Sequence, residues 1–294
     1  MSSNHSVRDY NKYVKRMRLW KKRSKAMAAS IGGNFIPFGQ IMRDLLLQFG
    51  LRPDSNVVDI GCGSGRLANA LKEMPELHYM GFDVVPSLVE YAEQICDRKD
   101  WKFFTVTDFR ISSPDESVDL VTAFSVFTHL RHEETFLYLV EASRVLKQGG
   151  KIIFSFLDFS VPPHWSVFES NIRNVHDADM PLNQFMDKQA ISTWCQHLPL
   201  KVLEILPGDT KGIMLRQPIT LEDGTIEKEY ATLGQSVCVL VKGDAAVNLE
   251  LDALLDGFDG EGYLQANPDV AQSGMDPREH YLKFGRFEGR KLKP

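Results

Sequence analysis

Residues 56–71 read NVVDIGCGSGRLANAL, and this stretch decides the fold. Asn56 to Ile60 is a short apolar run rich in β-branched residues. Gly61, Gly63 and Gly65 punctuate its end, and Leu67, Ala68, Ala70 and Leu71 then return with helical spacing. The pattern predicts a strand, a tight turn and a helix. Glycine admits backbone conformations that a Cβ forbids, so a ligand can approach the turn closely. The helix beyond it offers unpaired N–H groups and the positive end of its dipole to whatever lies over the turn.

Two cofactor classes use this device, and spacing separates them. The dinucleotide fingerprint carries a third glycine three residues beyond its second. Here Gly65 comes two residues after Gly63, and Arg66 occupies the third-glycine position. The stretch instead resembles motif I of the class I S-adenosylmethionine (SAM)-dependent methyltransferases, a hydrophobic strand, an acid and then GxGxG. Asp59, Gly61, Gly63 and Gly65 match that motif, with Cys62 inside the turn and Arg66 opening the helix. The resemblance implies a Rossmann-like, doubly wound α/β sheet of seven strands, with SAM as cofactor and S-adenosylhomocysteine (SAH) as product.

The following units supply the context that a lone glycine turn lacks. A second strand, His78 to Phe82, ends in Asp83, and Pro86 opens a helix through Cys96. A carboxylate is acceptor-only and takes two donors at once, which suits Asp83 to both ribose hydroxyls of an adenosyl group. Val84 is then an apolar neighbour for the adenine. A third strand, Lys102 to Val106, leads to Asp108, where the family holds an acid that accepts from the adenine amino group. Phe109 contacts that ring or serves the core. The fourth strand, Ser117 to Phe124, is nearly all apolar, as a strand covered on both faces requires. It runs into Ser125-Val126-Phe127-Thr128-His129, the segment that in the family borders cofactor and acceptor. The run RVLKQGGKIIFSF, Arg144 to Phe156, resembles the family's passage from helix through Gly149-Gly150 to strand five, Lys151 to Asp158. Alternating strands and helices predict a parallel sheet with right-handed crossovers and a ligand at the strands' carboxyl ends.

Composition bounds the alternatives. With 294 residues, 43% hydrophobic and 25% charged, the chain can bury a full core. No apolar run is long enough to span a bilayer, and the N-terminus lacks a signal-like apolar region, so a cytoplasmic location is expected. Cys62, Cys96, Cys195 and Cys238 are scattered without metal-ligand spacing and are expected as reduced thiols, with no metal. A net charge of −5 argues against nonspecific nucleic-acid binding.

Three regions flank the sheet. Residues 1–50 are expected to form a basic amphipathic helix over Arg8 to Lys25 and a cap, with a loop from Gly32 to Gly39 and a helix from Gln40 to Phe49. The basic face is solvated, or meets an anionic membrane at its inner face or an acidic acceptor. The SAM-binding domain is expected over 51–243, with insertions at about 159–187 and 210–232 on the acceptor side; the second reads as a hairpin turning at Glu222-Asp223-Gly224. Residues 244–294 resemble a short module, YLxxNPDVA…HYxxxGxxEGR, appended to bacterial surface-polysaccharide enzymes and to some extracellular repeat proteins, and are expected as two short helices that dock a partner or glycan.

Methyl transfer to a hydroxyl needs a positioned acceptor and a base that works near neutral pH. His129, at the end of strand four, is the leading base, with His164 and His176 on the first insertion as alternatives; His129 can equally serve as a packing or hydrogen-bonding residue of its turn. The expected activity is O-methylation of a sugar or glycan hydroxyl, with a glycan or sugar nucleotide as acceptor. A small-molecule methyltransferase and a SAM-binding scaffold without transfer activity are the competing readings.

Overall fold

The computed structural model describes residues 33–177, 182–243, 258–281, 285 and 290–293. The basic stretch from Arg8 to Lys25, the acidic stretch near 249–255 and residues 178–181 lie outside these. The chain divides into two compact units, Met1–Lys242 and Gly243–Pro294.

In the first unit, helix α1 (Phe35–Gln48) precedes β1 (Asn56–Ile60), α2 (Arg66–Leu71), β2 (His78–Asp83), α3 (Pro86–Cys96), β3 (Lys102–Thr105) and β4 (Val118–Ala123). A short 3₁₀ turn (Phe127–His129) leads to α4 (His132–Val145) and β5 (Leu146–Asp158). The first insertion holds α5 (Trp165–Arg173) and β6 (Phe185–Met186), followed by α6 (Lys188–Cys195) and β7 (Leu200–Leu206). Four two-residue strands, β8 (Ile213–Met214), β9 (Ile219–Thr220), β10 (Ile226–Glu227) and β11 (Tyr230–Ala231), precede β12 (Ser236–Lys242).

The main sheet runs β3-β2-β1-β4-β5-β12-β7, with β6 added beside the end of β5. Strands β1 to β5 pair in parallel, whereas β12 is antiparallel to both β5 and β7. The period of two along each strand feeds two separate apolar layers. Val57, Val237 and Val239 join one layer with Leu45 and Leu46 of α1, and Val58, Cys238 and Leu240 join the other with Leu139 of α4. Leu45 and Leu46 are fully buried, each worth roughly 2–3 kcal/mol of transfer free energy.

Two expected boundaries move. The helix expected from Gln40 starts at Phe35, so most of the expected loop is helical. Pro37 falls in its first turn, where no intrahelical N–H is required. Gly39 is there for close packing: a Cβ would stand 2.7 Å from the Arg66 carbonyl oxygen of α2. Strand five begins at Leu146 instead of Lys151, because Gly149, with φ +74°, carries the chain through a register shift against β4.

The hairpin turns where expected, with the Leu221 N–H bonded to the Thr225 carbonyl and Gly224 at φ +88°. It grips α1 through side chains that the helix buries. Gln48 donates to the Gly212 carbonyl (3.2 Å) and accepts from the Met214 N–H (3.0 Å), and Asp44 accepts from the Arg216 N–H (2.9 Å).

In the second unit the described residues form three helices, α7 (Gly260–Ala266), α8 (Pro268–Ser273) and α9 (Pro277–His280), not two. Proline starts α8 and α9, at Pro268 and Pro277. Tyr263 is fully buried and its hydroxyl meets His280 Nδ1 at 3.0 Å, while Arg290 pairs with Asp269. His280 and Asp269 are thus each in a structural pair, and no metal-binding group of three or more His, Cys, Asp or Glu occurs among the described residues. No helix among the described residues is long and apolar enough to cross a membrane.

Gln48→Ala leaves a buried carbonyl and a buried N–H of the hairpin without partners. Urea unfolding should show a loss of about 1–3 kcal/mol; an unchanged midpoint would mean that the hairpin is held without this helix.

Candidate active site

The glycine turn and the end of β2 meet at the carboxyl edge of the sheet. Gly61, Gly63 and Gly65 take φ of +68°, +54° and +82°, so every second residue of the turn lies in the left-handed region. At Gly61 a Cβ would overlap a methyl of Val126 from the segment after β4. Two strands' turns are thereby in contact over the edge, which only glycine at position 61 permits.

Asp83 fastens the turn. Its Oδ2 accepts the Gly63 N–H and its Oδ1 the Val85 N–H, both at 2.9 Å, and the side chain is buried. Burial pushes its carboxyl up to about 6, against the pull of those backbone donors. Asp59 sits deeper. Tyr79 of β2 donates to one oxygen at 2.6 Å and Thr122 of β4 to the other at 2.7 Å, so it ties β1 to both neighbours. Burial raises its carboxyl to about 6 as well, partly offset by those two bonds. Cys62 is buried beneath the turn with its thiol pushed well up by burial, which makes it a filler and not a nucleophile. Arg66 points away, donating to the Gly33 carbonyl at 2.7 Å and lying over the Phe38 ring.

On the β3 side, the Val106 N–H bonds the Asp83 carbonyl, and Asp108 follows two residues later, exposed, accepting from the Arg110 N–H. A cavity of about 580 Å³ opens there, lined by Val106, Asp108, Ile111 and Arg144 among others. Val84 is half-buried beside Asp83. Phe109 packs edge-on against Tyr138 at 5.1 Å, the core alternative for that ring.

Past β4 the second half of the edge begins. Ser125 is exposed in the left-handed region, φ +56°, a conformation that costs a non-glycine residue about 1–3 kcal/mol. Its N–H donates to Ser155 Oγ of β5 at 2.7 Å. His129, half-buried on the 3₁₀ turn, meets the Leu182 carbonyl through Nδ1 at 2.7 Å. A carbonyl only accepts, so Nδ1 carries the proton and the neutral ring has its lone pair on Nε2. Burial lowers the pKa of His129, which keeps the ring neutral at pH 7. Gln184 N–H and the His132 ring bond across to Thr128 O and Phe185 O, lacing the first insertion onto this turn.

The two alternative bases stand apart. His164 is buried, its Nδ1 accepting the Asp158 N–H and its Nε2 donating to the Gly234 carbonyl at 2.9 Å. Both ring nitrogens serve the main chain, so His164 is a latch between β5 and the segment before β12. His176 is exposed in the turn after α5. Ser155 and Gln235, which escaped the sequence reading, join this edge: Gln235 Oε1 lies 2.7 Å from Ser155 Oγ and 3.3 Å from Ser125 Oγ. A serine inside the apolar run IIFSF was the signal for one; only the antiparallel course of β12 reveals the other.

Residues 58–154 match the family model described as a methyltransferase domain. Malonyl-[acyl-carrier protein] O-methyltransferase of Hahella chejuensis is 34% identical over 104 residues, 35% of this chain and 36% of that protein. The chain therefore spans about a third of that curated relative's length. A methyltransferase solved in complex with the Haloferax volcanii Trm112 activator superposes with TM-score 0.55 at 21% identity, covering 80% of this chain and 98% of that one. Magnesium protoporphyrin IX methyltransferase from Synechocystis PCC 6803 with bound SAH gives 0.53 at 15%, covering 82% and 100%. The fold is that of the class I methyltransferases. At the edge carrying Asp83 and Ser125, the turn after β1 bonds the end of β2, and the segment after β4 bonds Ser155 of β5 and Gln235 before β12.

The raised carboxyl makes a signed prediction. Below about pH 4 Asp83 is protonated folded and unfolded alike; as pH rises through about 6, the unfolded chain ionises first and wild type loses stability. Asp83→Asn cannot ionise. Its stability relative to wild type should improve by roughly 2–3 kcal/mol between pH 4 and 7 in denaturant titrations; a constant difference would contradict the raised value.

Proposed function

We propose that the chain is a SAM-dependent O-methyltransferase. One observation carries this reading: a buried carboxylate, Asp83, fastened to a glycine turn at the carboxyl edge of β1 and β2. Both Asp83 oxygens accept backbone N–H groups, and a carboxylate has about four acceptor sites, which leaves capacity for a ribose hydroxyl of an adenosyl cofactor. The positive-φ glycines let that cofactor lie against the main chain. Val84 offers an apolar side to the adenine, Asp108 an acceptor for its amino group, and Ser125 borders the methionine end. Asp59, with both oxygens engaged, holds the strands in place.

SAM supplies a methyl group on a sulfonium, which is already an excellent leaving group. The chain's own work is to orient a hydroxyl and remove its proton. His129 has the tautomer for this, Nδ1–H fixed on Leu182 and the lone pair on Nε2. An oxygen acceptor also fits the O-methyltransferase activity named for the Hahella chejuensis relative. The finer reading, a sugar or glycan hydroxyl of a surface polysaccharide, is supported by the sequence of the C-terminal module. Exposed Phe159 and Trp165 beside the site favour an acceptor with a nonpolar face.

Calorimetry should show SAH binding, weakened about ten- to hundredfold in Asp83→Ala. Labelled SAM is then offered with sugar nucleotides, surface-glycan precursors and phenolic acids. His129→Ala should lower kcat about 10²- to 10⁴-fold while SAH binding stays. Binding without transfer to any acceptor would favour the scaffold, and unchanged turnover in His129→Ala would remove it as base.

A further inference from the structure

We infer that Gln235 is the residue that orients the acceptor, its side-chain N–H groups holding an oxygen of the acceptor next to the hydroxyl that is methylated. The inference starts from topology. Strand β12 runs antiparallel to β5 and its first residue, Ser236, pairs with Phe156, so the residue before it, Gln235, lies at the carboxyl edge of the parallel strands. Gln235 therefore stands over the β4–β5 half of that edge, whereas Asp83 and the glycine turn occupy the β1–β2 half.

The amide is held by its oxygen. Ser155 is buried, and its Oγ receives the Ser125 N–H. Its own proton then goes to Gln235 Oε1 at 2.7 Å, and the Ser125 hydroxyl reaches the same oxygen at 3.3 Å. Both bonds draw on the carbonyl end of the amide. Nε2 is left with no hydrogen-bond partner among the described residues, and Gln235 is only half-buried, so these donors face the open edge. The strained backbone of Ser125 belongs to the same arrangement, since its left-handed turn is what points its N–H at Ser155. A structural role would use the amide from both ends, as Gln48 does between Gly212 and Met214. Gln235 uses one end and presents the other. Two N–H donors select an oxygen acceptor, a hydroxyl, carbonyl or carboxylate, and disfavour a donor group such as an ammonium at that position.

This inference rests on the methyl-transfer reading, and one set of measurements separates the two. The probe is the hydroxyl acceptor of the panel above that wild type methylates fastest. Gln235→Glu keeps an oxygen for both serines and replaces the donor by an acceptor. The expected result is wild-type SAH affinity by calorimetry, an unchanged unfolding midpoint and an acceptor KM raised about tenfold or more. Gln235→Asn, which keeps the amide but withdraws it by one methylene, should raise KM in the same direction and serves if the glutamate variant is unstable. Wild-type KM in both variants, or SAH affinity falling in parallel with KM, would overturn the role of Gln235. Absence of SAH binding in wild type would instead overturn the methyl-transfer reading itself.

Discussion

The hydrogen bond from the Gly63 N–H to the Asp83 carboxylate is the constraint on which the rest of the site depends. It joins the end of β2 to the turn after β1 and so fixes a loop in which three glycines take left-handed backbone conformations. Below it, Asp59 bonds Tyr79 and Thr122 and keeps three adjacent strands in register where their ends must coincide. Both carboxyls are buried, and burial costs stability that only their hydrogen bonds offset. A chain that places two such groups under one turn sacrifices stability for geometry, which is the pattern of a binding site.

The edge divides into two chemistries. Over β1, β2 and β3 stand carboxylates and glycine backbone, acceptors and close approach, suited to a nucleoside. Over β4, β5 and β12 stand Ser125, His129 and Gln235, a lone pair and amide donors suited to an acceptor oxygen. The contact between Gly61 and Val126 is the seam where the halves touch. The first insertion closes the second half through Leu182 and Phe185, which bond the 3₁₀ turn and its neighbour.

Most of the first half was legible in the sequence because its signals are local. Glycines at fixed spacing, an acid at the end of a strand and a proline one turn later are read within a few residues of each other. The second half depends on pairings across long separations that no local pattern encodes. Gln235 meets Ser125 across 110 residues and His164 meets Gly234 across 70, so one was missed and the other was offered as an alternative base when it is a latch. Gly39 misled for a related reason: a glycine reads as a helix breaker, but this one is small because α2 crosses it closely.

The central claim is that the Asp83 edge receives an adenosyl cofactor. A crystal structure of the chain with SAH tests it most directly. The account predicts both ribose hydroxyls within hydrogen-bond distance of the Asp83 carboxylate, with the sulfur lying toward Ser125. SAH seated away from Asp83, or its ribose turned from that carboxylate, would contradict it.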